Sequence, residues 1–113
     1  MGNYMDSLLE KKCVPCEGAS ALFTKEEIEK YKSEVLDWQV VDEKKLRKEY
    51  TFRDFNEAMI FVTKVARVAH TEGHHPDIHI SYNRVALELW THAINGLSEN
   101  DFIVAAKINT IQI

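Results

Sequence analysis

Apolar and polar positions follow two rhythms along this chain, and the switches between them divide it into elements. Ile28, Tyr31 and Val35 recur at helical spacing. A start signal precedes them: Thr24 can cap, Glu27 three residues on completes a capping box, and Phe23 and Ile28 hold the two positions of a hydrophobic staple. The spacing predicts a helix ending near Leu36. Trp38 to Val41 is short and β-prone, and Asp42-Glu43-Lys44 reads as a turn. Leu46, Tyr50 and Phe52 then alternate with Arg47, Glu49 and Thr51, the period of a half-buried strand. The longest helix follows, opened by Asp54 with Glu57. Phe55, Ala58, Met59, Val62, Val65, Ala66 and Ala69 are assigned to its buried face, while Ile60, Phe61 and Val68 lie off that stripe, free for a second contact such as a subunit interface. Gly73 supplies the stop, because it takes the left-handed conformation that closes a helix. Ile78, Ile80 and Tyr82 alternate, Asn83-Arg84 reads as a tight turn, and Val85, Leu87 and Leu89 alternate on the return strand. Ser98 with Asp101 caps a last helix to about Thr110, stapled by Leu97 and Phe102.

The order helix, hairpin, helix, hairpin, helix predicts an α+β two-layer sandwich, with a four-stranded antiparallel sheet and three helices packed on one face. The boundaries divide the chain into a flexible N-terminal tail, residues 1–21, and a folded domain, residues 22–113. Such a small sheet leaves an edge or face on which a partner subunit could pack.

Composition narrows the function. At 113 residues the chain fits one domain. The net charge of -4 and the interruption of Lys44, Lys45, Arg47 and Lys48 by acidic neighbours argue against a nucleic-acid partner. No apolar run approaches the roughly 20 residues a membrane span needs, and no secretory signal opens the chain, so a cytoplasmic location is expected. Cys13 and Cys16 form a CxxC in the tail. Two cysteines supply half of a zinc site, and the motif does not open a helix after a strand as a thioredoxin-like pair would. It is read as outside the main function.

Three of the five histidines fall within six residues, and histidine is the side chain best poised for proton transfer near neutral pH. His74 and His75 leave the helix at Gly73, and Pro76 biases His75 toward an extended backbone. By composition alone the pair fits two exposed loop histidines equally well. A hairpin turning at Asn83-Arg84 places His75 opposite His92, and this convergence favours a site. His79 alternates with Ile78 and Ile80 and is read as facing away from them. His70 is read as a satisfied structural histidine. Zinc is the sharpest rival, with His70, His74, His75 and His92 as imidazole donors. Gly73 breaks the i, i+4 geometry, however, and no HExxH is present. Cys-His nucleophilic catalysis would require a cysteine of the tail to reach the histidines.

The ordered set Glu72-Gly73-His74-His75-Pro76, Tyr82-Asn83-Arg84-Val85, Thr91-His92 and Gly96-Leu97-Ser98-Glu99-Asn100-Asp101 resembles the signature of the pterin-4a-carbinolamine dehydratases. Trp38 and the run Tyr50 to Phe55 extend the resemblance, which covers about residues 22–110. It implies removal of water from a 4a-hydroxytetrahydropterin to give the quinonoid dihydropterin, in tetrahydrobiopterin recycling. It implies His74, His75 and His92 as catalytic groups and Trp38, Pro76, Thr91 and Asp101 as substrate-binding residues. It also implies no metal or organic cofactor, a homodimer or homotetramer, and a functional link to an aromatic amino acid hydroxylase. In animals the same fold also serves as a dimerisation partner of a homeodomain transcription factor, a role that nothing in this chain asks to be transferred.

Overall fold

The computed structural model describes residues 8–13 and 22–113. Helix α1 spans Lys25–Lys32, opened by the capping box of Thr24 and Glu27. It ends four residues before Leu36: Ser33 caps it, and a series of turns carries the chain to Trp38. Strand β1 (Gln39–Val41) pairs with β2 (Lys45–Thr51) across a turn in which Asp42 and Glu43 both take the left-handed conformation. Helix α2 (Phe55–Glu72) follows, then β3 (Asp77–Ser81), β4 (Arg84–Leu89) and α3 (Glu99–Ile108). The strands stand in the order β1-β2-β4-β3, all neighbours antiparallel, so the two hairpins join through β2 and β4.

Alternation gives the sheet two unlike faces. Leu46, Val85, Leu87 and Leu89 point to the helices and are at most 1% exposed. They pack with Phe61 and Val65 of α2 and with Phe102, Ile103 and Val104 of α3 in one apolar core. The other face carries Arg47, Glu49, Ala86, Glu88, Asp77 and His79, aligned by register. This is the expected α+β two-layer sandwich with helices on one side.

Three details differ from the sequence reading. The buried stripe of α2 is Ala58, Phe61, Val65 and Ala69. Phe61, read as off-stripe, packs its ring on Tyr50 and Phe52 at centroid distances of 4.5 and 5.1 Å, while Phe55 and Ala66 are exposed. The aromatic pair Tyr50 and Phe52, in β2 and just beyond its end, draws the helix round to face it. The second hairpin turns at Tyr82-Asn83, since Ser81 pairs with Arg84, and Tyr82 is a left-handed turn residue at φ 53°. Finally, residues 8–13 lie on the domain. Leu8 is 2% exposed within the core, Lys11 pairs with Glu99, and the Cys13 N–H donates to Glu72 at 3.1 Å. The rest of the expected flexible tail, residues 1–7 and 14–21 with Cys16, lies outside the described residues.

Candidate active site

The site is assembled where α2 ends. Gly73 sits at φ 67°, and its N–H turns back to the Ala69 carbonyl, so the chain leaves the helix sharply. A left-handed residue here is what glycine supplies without a Cβ clash. His74 follows and is buried at 6% exposure, while the next residue, His75, is exposed. The sheet supplies the other wall. Beyond Leu89 the strand rhythm persists for three residues: Thr91 points inward with no exposed surface, and Trp90 and His92 lie on the outer side. His92 opens a short 3-10 turn, His92–Ile94, whose loop is pinned by the Thr91–Gly96 bridge.

A cleft of about 450 Å3 lies between these walls, lined by Gly73, His74, His75, Trp90, His92 and Ala93. That volume falls in the range of small-molecule sites, about 300–1,000 Å3. The three candidate histidines therefore share one cavity. The route differs from the one read in the sequence: with the turn at Tyr82-Asn83, continuation of the β3–β4 register puts His75 across from Trp90. His92 reaches the cleft because the chain bends there.

Behind His74 stands Asp101, which has no exposed surface. Its Oδ1 lies 2.6 Å from His74 Nε2, and its Oδ2 accepts from Thr91 Oγ1 at 2.8 Å and from the Ser98 N–H at 3.0 Å. The Thr91 and Ser98 hydroxyls also pair, at 2.8 Å. With Oδ2 committed to two donors, Oδ1 accepts the His74 Nε2–H. That contact fixes the ring's tautomer and leaves Nδ1 unengaged with Asp101. A buried carboxylate is stabilised only when its lone pairs are satisfied, and here three donors satisfy it.

The four residues expected to touch substrate sit in different surroundings. Asp101 and Thr91 are buried behind His74 and support it, because strand alternation turns Thr91 inward and the α3 cap turns Asp101 toward it. Trp38 is fully buried in the core, where its Nε1 donates to Asn109 Oδ1 at 2.9 Å; it does not line the cleft. Pro76 is half-buried and adjoins the cleft only through His75. His79 is exposed on the open face, turned away from Ile78 and Ile80 as expected. His70 is exposed, in place of the satisfied structural role assigned to it. Among the described residues, no group of three or more His, Cys, Asp or Glu is arranged to hold a metal ion. The sequence reading missed Trp90, although its place two residues before His92 on a strand already put the pair on one side.

Fold and site together define a small α+β domain with three histidines lining one cleft. The sequence model of one protein family, described as pterin 4 alpha carbinolamine dehydratase, matches residues 21–111 of the chain. A Nitrosospira multiformis protein named as a candidate pterin-4-alpha-carbinolamine dehydratase is 46% identical over 111 residues, 98% of this chain and 97% of that one. One of the same name from Rickettsia canadensis is 48% identical over 107 residues, 94% of this chain and 98% of that one. A Brucella melitensis crystal structure, described as a transcriptional coactivator/pterin dehydratase, aligns with TM-score 0.73 at 33% identity over 79% of this chain and 96% of that one. The chain belongs to the pterin 4 alpha carbinolamine dehydratase family, and it is an enzyme of the hydro-lyase class.

Proposed function

We propose that the protein removes water from 4a-hydroxytetrahydrobiopterin to give the quinonoid dihydropterin, by histidine general acid/base catalysis. In the step, a proton is delivered to the 4a oxygen, the carbon–oxygen bond breaks, and water leaves. A proton departs from the adjacent ring nitrogen to restore neutrality. The reaction needs a proton donor and a proton acceptor within one cavity, and His74, His75 and His92 around the same cleft supply three groups of the right kind. The observation that carries this reading is the His74–Asp101 contact. A buried carboxylate that fixes one imidazole nitrogen and stabilises the ring's cation is the usual support of a working histidine.

Substrate-binding roles for Pro76, Trp38, Thr91 and Asp101 are assigned as follows: Pro76 stiffens the backbone that presents His75, Thr91 and Asp101 act through His74, and Trp38 acts through the core. The protein is read as a cytoplasmic homo-oligomer, a dimer or tetramer, working in tetrahydrobiopterin recycling beside an aromatic amino acid hydroxylase. No helix among the described residues is long and apolar enough to cross a membrane, which accords with that setting. The test follows the ultraviolet absorbance of the 4a-hydroxy intermediate with and without enzyme. Accelerated decay in wild type, with losses of about 10²–10⁴-fold in His74→Ala or His92→Ala, is expected. Folded protein that leaves the decay unchanged would refute the reading.

A further inference from the structure

His74 and His92 are held in different ways. His74 is locked by a buried carboxylate, which occupies one of its two ring nitrogens. His92 is exposed, begins a turn of three residues, and its ring makes no hydrogen bond with a described residue. A histidine with only solvent around it rotates among several staggered positions. One contact restrains this ring: its centroid lies 4.0 Å from the Trp90 ring at an interplanar angle of 45°.

The indole is itself anchored on two sides. Its Nε1 donates to Asp77 Oδ2 at 3.2 Å. The ammonium of Lys45 stands 5.1 Å from the ring centroid, within range of a cation–π contact. Lys45 is in turn tethered to Glu88 at 3.4 Å, and Glu88 also takes Arg47 Nε at 3.2 Å. The sheet explains this cluster. Arg47 and Asp77 each pair with Glu88 from the two neighbouring strands, and Trp90 is two residues beyond Glu88, on the same face. The open face therefore carries a row of charged side chains that ends on an indole at the rim of the cleft.

We propose that Trp90 is the positioning residue for His92. The indole, fixed by Asp77 and Lys45, sets the plane of the imidazole by ring contact alone. The chemical advantage is specific. A hydrogen-bonded support such as Asp101 commits one nitrogen, whereas an aromatic support leaves Nδ1 and Nε2 of His92 both free to exchange protons with substrate. The cleft then contains one histidine with a single available nitrogen and another with two.

This inference rests on the dehydratase reading, and the experiment separates the two. His92→Ala is measured first: wild-type activity in that variant would remove His92 from the mechanism and the proposal with it. Trp90→Ala, Trp90→Phe and Asp77→Ala are then compared by steady-state kinetics and by NMR of 13C-histidine-labelled protein. Trp90→Ala should lower kcat about tenfold, the order expected when a working group loses alignment, with KM changed much less. The ring-current shift of the His92 Cε1–H should vanish with it. Trp90→Phe should restore most of both, and Asp77→Ala should move both part of the way. Unchanged kcat in Trp90→Ala overturns the proposal. So does a kcat loss in which the His92 resonance keeps its wild-type position. If Trp90→Ala fails to fold, Asp77→Ala and Trp90→Phe decide by the same pair of readings.

Discussion

Asp101 accepts from His74, from the Thr91 hydroxyl and from the Ser98 backbone while shielded from water, so its two simplest replacements should fail differently. Asp101→Ala strands those donors and unpairs the cap of α3. Leaving a buried donor unsatisfied costs about 1–3 kcal/mol, read as a shift of the urea midpoint. Asp101→Asn keeps the shape but can offer only one accepting oxygen where two are used. His74 then loses its fixed tautomer, and the dehydration rate should fall by about 10²–10⁴-fold with the fold intact. An Asp101→Asn enzyme working at the wild-type rate would show that the tautomer is irrelevant. At this scale the sequence was informative about residue type and poor about contact. The histidines were visible because two are consecutive and precede proline. The bond from His74 to Asp101 was hidden, because it spans 27 residues and depends on how sharply the chain leaves α2.

The end of α2 is where element geometry governs the site. Gly73 at φ 67° has nothing within 4 Å of the position a Cβ would take, so Gly73→Ala costs only the left-handed backbone penalty, about 1–2 kcal/mol. Thermal melts should show that modest loss, and turnover should fall further than stability alone explains, because His74 and His75 follow directly. Segment 8–13 binds to the same corner, and its docking should depend on pH. Burial, and then the negative charge of Glu72, push the Cys13 thiol up to about 12 from an ordinary 9.0. The released chain gives up that proton first, so docking is fully favoured below about pH 9 and weakens as pH rises toward about 12. In a Cys16→Ser variant, iodoacetamide should therefore label Cys13 much more slowly than the denatured chain at pH 9, and the difference should close at higher pH. Equal rates at pH 9 would mean the thiol is not docked. Helix starts were legible in the sequence because Thr24, Asp54 and Ser98 are local signals. The hairpin register was not, because Tyr82 takes a turn conformation that a bulky side chain rarely adopts, and two residues of slip moved His92 off the position opposite His75.

For the whole molecule, the order β1-β2-β4-β3 leaves β1 and β3 with outer edges that pair with no other strand among the described residues. Phe55, Ile60, Ile80 and Tyr82 are all more than 40% exposed. Unpaired edges and exposed apolar groups of this kind favour self-association. Sedimentation equilibrium should return a multiple of the 13.1 kDa chain mass, and a species of that mass alone at micromolar concentration would remove the homo-oligomer from the proposed function. The fold class was readable because five elements alternate with clear punctuation. The packing of α2 was not, because Phe61 is drawn to Tyr50 and Phe52, neighbours that become known only once the sheet exists. The two tryptophans also divide the protein's light emission into separate channels. Trp38 is sealed in the interior, so its fluorescence should redden only when the chain unfolds. Trp90 looks into the cleft, so a Trp38→Phe protein would carry a single indole, whose emission, excited beyond the tyrosine band, reports on what occupies that cavity.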